Sequence, residues 1–143
     1  MRIGVPKETS PDERRVALVP GVLPSLTKAG LEIVVESGAG LPAGITDEEF
    51  TAKGATIGSR DDAFAADVVV RVRCLGATPE PSADLERMQS GKIWIAMCEP
   101  LGQAQDMQEA AAKGVSLLSL ELMPRITRAQ SMDILSSMAT IAG

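Results

Sequence analysis

The sequence predicts an α/β domain in which a parallel sheet carries helices on both faces, of Rossmann-like or flavodoxin-like type. Three observations point there. Short β-branched runs alternate with helical stretches from one end of the chain to the other, the pattern of successive βαβ units. The clearest runs, Asp67 to Arg73 and Lys92 to Met97, are apolar through most of their length, as strands covered on both faces are. Gly30, Gly54 and Gly114 follow helical stretches at the position where a left-handed residue ends a helix.

Taken in order, Arg2 to Pro6 reads as the first strand and Gly21 to Ala29 as a helix stopped by Gly30. Glu32 to Glu36 is the second strand. Thr46 is a candidate N-cap for a helix over Asp47 to Lys53, with Glu49 three residues on to complete a capping box. Thr56-Ile57 is a short strand, Asp61 to Ala66 a helical turn or two, and Asp67 to Arg73 the next strand. Ser82 is a candidate cap for Ala83 to Gln89. Lys92 to Met97 is a strand, Gln103 to Lys113 a helix, Val115 to Leu120 the last strand and Arg128 to Ala142 the last helix, with Thr127 as its candidate N-cap. That last helix has small and apolar residues over much of its surface, so we expect a domain that continues into a further one after Gly143.

Composition narrows the function classes. The 143 residues suit one domain with a core of its own. Phe50, Phe64 and Trp94 are the whole aromatic complement, so Val, Ile, Leu, Ala and Met must build the core, and no platform exists for stacking bases. Net charge is −5 and no basic block occurs, which argues against nucleic acid as a partner. No apolar run reaches the length of a membrane span and no signal peptide opens the chain, so a soluble cytoplasmic domain is expected. Cys74 and Cys98 read as two reduced structural thiols. Histidine is absent altogether. That removes the commonest general base and metal ligand, and no metal site is expected. Chemistry here must come from carboxylates, Arg, Lys, amides or a cofactor.

One glycine-rich loop invites a nucleotide reading. Gly38, Gly40 and Ala43 fit a loose G-x-G-x-x-G/A pattern after a strand, with Asp61 and Asp62 about twenty residues on. The pattern needs a helix to open at the glycines and present its N-terminus to a pyrophosphate. Here the helix opens later, after Pro42 and Gly44, so the loop reads as structural and the domain lacks a dinucleotide fingerprint of its own.

Two segments fall where strands end and loops begin, the edge where open α/β sheets bind ligands. The first runs from Gly4 through Lys7-Glu8 to Glu13-Arg14-Arg15. Its plain reading is a charged loop in which Lys7, Glu8, Glu13 and Arg15 pair among themselves. The second is Glu121 to Ser137, where Arg125, Thr127, Gln130, Asp133 and Ser137 gather around a helix start. Guanidinium, amide, carboxylate and hydroxyls together supply the donors and acceptors that a carboxamide and a ribose require. Its plain reading is a capped helix with polar residues facing water.

These segments carry a resemblance. The opening resembles the shared N-terminal domain of alanine dehydrogenases and of the alpha subunit of proton-translocating nicotinamide nucleotide transhydrogenases. The run Met123-Pro124-Arg125-Ile126-Thr127-Arg128-Ala129-Gln130-Ser131-Met132-Asp133, continued by Leu135-Ser136-Ser137 and Ile141-Ala142-Gly143, is similar to transhydrogenases in particular. Alanine dehydrogenases carry a catalytic His after the strand matching Lys92 to Met97, where this chain has Glu99-Pro100. Thr140 stands where the family often has Asn. The resemblance implies that residues 1–143 form one half of an NAD(H)-binding component, whose second, fingerprint-bearing Rossmann half follows in sequence. It implies Gln130 and Asp133 as catalytic residues and Arg125, Ile126, Thr127, Arg128, Gln130, Asp133 and Ser136 as cofactor-binding residues. It further implies NADP(H) on a separate partner component, a membrane component, a homodimer, and a place on the cytoplasmic side of the inner membrane. An alternative within the same family is an amino-acid dehydrogenase whose Arg15 and Arg71 or Arg73 bind a keto-acid carboxylate. A non-catalytic binding domain of the same fold is the third.

Overall fold

The computed structural model describes residues 1–142; Gly143, the last residue of the transhydrogenase-like run, lies outside them. Six parallel strands form one sheet: β1 (Arg2–Val5), β2 (Glu32–Glu36), β3 (Thr56–Gly58), β4 (Val68–Arg73), β5 (Ile93–Met97) and β6 (Ser116–Ser119). Their order is β3-β2-β1-β4-β5-β6. This is the doubly wound order, with the direction of winding reversing between β1 and β4. The helices are α1 (Leu23–Lys28), α2 (Asp47–Thr51), α3 (Arg60–Phe64), α4 (Pro81–Arg87), α5 (Ala104–Ala112) and α6 (Ile134–Ala142).

The period-2 alternation of the strands separates two cores. Val68, Val70, Ile93 and Ile95 join Ile3, Val5, Ile33 and Val35 on one face, under Leu23 of α1 and Phe50 of α2. Val69, Trp94 and Ala96 face the other way, against Phe64 of α3, Leu85 of α4 and Ala110 of α5. Helices therefore cover both faces, as the apolar runs predict. Gly4 makes the tightest of these contacts possible: a Cβ there would lie 1.8 Å from the Ala63 carbonyl oxygen of α3. The coverage is incomplete at one edge. β6 has no neighbour beyond it, and its residues alternate between exposed and half-buried, so it is an edge strand and not a fully covered one.

Helix starts follow local hydrogen bonding, and only that of α2 falls on the residue the sequence predicts: α1 opens at Leu23 instead of Gly21 and α5 at Ala104 instead of Gln103. Thr46 and Glu49 form the expected capping box on α2. A second capping box, Ser59 with Asp62, opens α3 one residue earlier than expected. α4 begins at Pro81, not after Ser82, because proline's fixed φ suits the first helical position and Ser82 makes no cap. The largest correction concerns the C-terminal segment. Thr127 caps nothing; residues Thr127–Met132 form a tighter 3-10 turn, and α6 starts only at Ile134. Asp133 is the stronger capping type, and its carboxylate accepts the Ser136 N–H and the Ser136 hydroxyl at 3.0 and 2.7 Å. Gln130 and Asp133 therefore do not share an α-helical face; one lies within the 3-10 turn and the other closes it.

Candidate functional site

At the carboxyl edge of a parallel sheet the last backbone N–H groups point outward without strand partners. In this protein carboxylates from a neighbouring loop, a 3-10 turn and helix α4 fill them. Glu8, in the loop after β1, accepts the Val72 and Arg73 N–H groups at the end of β4, at 2.7 and 3.4 Å. Asp84 accepts Leu75 N–H at 2.9 Å. Glu121, at the end of β6, accepts Cys98 and Glu99 N–H at the tip of β5, at 2.7 and 2.5 Å. Beneath them Arg71 is fully buried between Glu8 and Asp84. Burial pushes both carboxyl groups up and the Arg71 charge holds them down, with burial the larger influence. Arg71 is thus a structural cation, committed to two carboxylates.

Helix α6 lies across this edge. Its inner side, Ile134 and Met138, closes an apolar cavity of about 380 Å³ over Val16, Val70 and Met97. Its start faces a second, polar cavity of about 350 Å³, lined by Arg125, Ile126, Thr127, Gln130, Asp133 and Ser136. Six of the seven residues expected to bind cofactor therefore surround one concavity; Arg128 is exposed nearby in sequence and is not among its lining. Buried Ala129 pins the 3-10 turn to the body, which leaves Thr127, Arg128 and Gln130 exposed around it. The Asp133 carboxyl is held below its ordinary range by the Ser136 N–H, then by the Ser136 hydroxyl and by the charge of Arg125, whose Nε stands 3.8 Å away. The cavity so presents an ionised carboxylate, a hydroxyl with its lone pairs free, a carboxamide and a largely exposed guanidinium.

The other sequence candidates are spoken for. Arg15 and Arg73 both bind Glu13, at 2.6 and 2.8 Å, and Arg15 also reaches the Met138 sulfur of α6 at 2.8 Å. The N-terminal charges therefore pair partly among themselves, as Glu13 with Arg15, and partly with β4, as Glu8 with Arg71. Lys7 offers its backbone N–H to Glu36. In the glycine-rich loop, the Asp47 carboxylate accepts Gly38 N–H at 2.9 Å and the Ser37 hydroxyl at 2.7 Å. An internal carboxylate thus sits where an external phosphate would. Asp61 and Asp62 are engaged with Arg87 and Ser59. Cys74 and Cys98 are free, buried and 3.3 Å apart, and their hydrogen bond, with burial, pushes the Cys74 thiol up. The sequence does not single out Asp84 or Glu121. Asp84 had one available signal: it is four residues before buried Met88, on the core-facing side of α4.

A doubly wound parallel sheet with a polar cavity at its carboxyl edge, built on a loop and a helix start, is the arrangement in which open α/β domains bind ligands. The chain belongs to the family of the alanine dehydrogenase/PNT N-terminal domain, whose model matches residues 4–142. It is 41% identical over 145 aligned positions to the NAD(P) transhydrogenase subunit alpha of Cereibacter sphaeroides, covering all of this chain and 27% of that protein. Alanine dehydrogenase of Mycobacterium tuberculosis is 30% identical over 146 positions, with all of this chain and 37% of that protein covered. Among solved structures, the transhydrogenase from Sinorhizobium meliloti superposes with a TM-score of 0.90 at 39% identity, over 99% of this chain and 41% of that one. An L-alanine dehydrogenase gives 0.86 at 28% identity, over 99% and 38%. The chain spans well under half the length of these relatives. No helix among the described residues is long and apolar enough to cross a membrane.

Proposed function

We propose that this domain is one half of the NAD(H)-binding component of a proton-translocating nicotinamide nucleotide transhydrogenase. One observation carries the reading: Arg125, Ile126, Thr127, Gln130, Asp133 and Ser136 surround a single polar cavity at the carboxyl edge, in a chain with about 40% identity to transhydrogenase relatives. The donor set suits a nicotinamide and its ribose. A carboxamide needs one donor and one acceptor, which a guanidinium such as Arg125 and a carboxylate such as Asp133 supply; a ribose hydroxyl suits a hydroxyl, as in Ser136. The nicotinamide cofactors supply the chemistry, a direct hydride transfer to NADP+ on a partner component. That transfer needs neither protein acid nor base, so a histidine-free chain is adequate to it. What the chain contributes is approach and orientation.

In this reading a second Rossmann half of the same component holds the pyrophosphate, since the loop at Gly38–Gly40 is occupied by Asp47. Gln130, exposed beside the cavity, faces the NADP(H)-binding component. The component pairs as a homodimer and is held at the cytoplasmic side of the inner membrane by a membrane component. The keto-acid alternative is weakened by Glu13, which engages both Arg15 and Arg73, and by the burial of Arg71. Gln130→Asn is expected to slow hydride transfer in the assembled complex about tenfold or more while changing NADH affinity little, since a shift of the order of one ångström suffices for such losses. Steady-state transfer to an NADP+ analogue, with calorimetric NADH titration, checks this. Lost affinity with undiminished transfer from the bound nucleotide removes Gln130 from that role.

A further inference from the structure

We propose that Glu121 is a positioning residue: by filling the two adjacent N–H groups at the tip of β5, it fixes the path of the loop that delivers Arg125 and Thr127 to the polar cavity. The inference rests on the reading of that cavity as the nicotinamide site. Glu99 adopts φ +48°, in the left-handed region, directly after Cys98. Such a turn points successive backbone N–H groups at one place and makes a small anion nest. One Glu121 oxygen occupies it, accepting Cys98 N–H at 2.7 Å and Glu99 N–H at 2.5 Å, while the other accepts the Ser119 hydroxyl at 2.6 Å. Burial alone would raise the Glu121 pKa; the hydrogen bonds from Ser119 and from the backbone outweigh it and hold the group below its ordinary value. It is therefore an ionised acceptor at neutral pH.

The loop that follows has little else to hold it. Leu122, Pro124, Arg125 and Ile126 are all exposed, and its backbone bonds, Met123 N–H to Leu120 and Ile126 N–H to Pro124, are made to close neighbours. Three residues, Leu122, Met123 and Pro124, separate Glu121 from Arg125, so the carboxylate sets where the guanidinium starts. Its partner position just after β5 is also informative, because it ties the loop to the interior strand β5 and not only to the edge strand β6 from which it springs. Without that tie, Arg125 would lose its placement 3.8 Å from Asp133.

The test uses the full NAD(H)-binding component in the assembled complex. Glu121→Ala is expected to slow hydride transfer about tenfold or more while NADH affinity falls only a fewfold, the signature of misplacement and not of lost binding. Glu121→Gln keeps a carbonyl oxygen for the two N–H groups and is expected to recover most of the rate. Backbone amide spectra of the same component give an independent readout: the Arg125 and Thr127 resonances are expected to move in Glu121→Ala and to stay near wild type in Glu121→Gln. Unchanged transfer in Glu121→Ala, or equal losses in both variants, overturns the proposal. If the wild-type component fails to bind NADH, the nicotinamide reading fails. The amide shifts then decide this inference alone, and unmoved Arg125 and Thr127 resonances overturn it.

Discussion

Asp133 and Ser136 hold one another at the start of α6, through a backbone bond of 3.0 Å and a hydroxyl bond of 2.7 Å. Both also line the polar cavity. The groups that begin the helix are thus groups that face the cavity, and the cavity cannot be altered without touching the fold beneath it. Asp133→Ala removes both bonds, whereas Ser136→Ala leaves the N–H bond in place. We expect Asp133→Ala to weaken NADH binding by the longer component about tenfold or more and Ser136→Ala by a few fold, since a charge-assisted hydrogen bond is worth about twice a neutral one. Calorimetric titration ranks them, and amide exchange reports the fraying of α6. A larger loss in Ser136→Ala than in Asp133→Ala contradicts this division of roles.

The sequence displays the fold more fully than the site, for a physical reason. Strand and helix periods, capping boxes and terminal glycines are local, and they place all six strands and, within a few residues, most of the helices. The start of α6 is missed because Thr127 and Asp133 are both competent caps six residues apart, and only the buried Ala129 and the paired Ser136 bonds decide between them. Of the residues that line the polar cavity, Arg125, Thr127, Gln130 and Asp133 stand out in the sequence by their chemistry around an expected helix start, whereas Ile126 and Ser136 enter only through the motif resemblance. The carboxylates that support the edge were not legible, since Glu121 meets Cys98 and Asp84 meets Arg71 across 23 and 13 residues of chain.

Arg71 offers a stability test with a definite pH dependence. Arg71→Leu leaves Glu8 and Asp84 buried without their cation, and breaking a buried pair this way costs about 3–5 kcal/mol. Both carboxyl groups are already raised by burial, and losing the arginine raises them further. A raised folded-state pKa means that the folded protein binds protons which the unfolded chain still releases, so stability is regained as pH falls toward the unfolded values. Urea midpoints of the variant should therefore recover between pH 7 and pH 5, more than those of wild type. A deficit independent of pH contradicts the buried triad.

Gly40 separates a structural loop from a phosphate loop. A Cβ there would meet the Phe50 ring at 2.6 Å and the Ile45 carbonyl oxygen at 2.7 Å. Gly40→Ala is expected to destabilise by about 1–3 kcal/mol through overpacking, measured by thermal or urea unfolding. Under conditions where the variant remains folded, NADH affinity of the longer component should match wild type. Full stability with lost affinity would return the loop to the nucleotide.

The central claim is that the cavity at Arg125–Ser136 is half of a nucleotide site. Calorimetric titration with NADH of the 143-residue chain, alone and then joined to the Rossmann half, tests it most directly. The account predicts weak or no binding by the chain alone and clear binding by the pair. It also predicts that Arg125→Ala weakens the pair's binding. Tight binding by the chain alone, or a pair indifferent to Arg125→Ala, would contradict it.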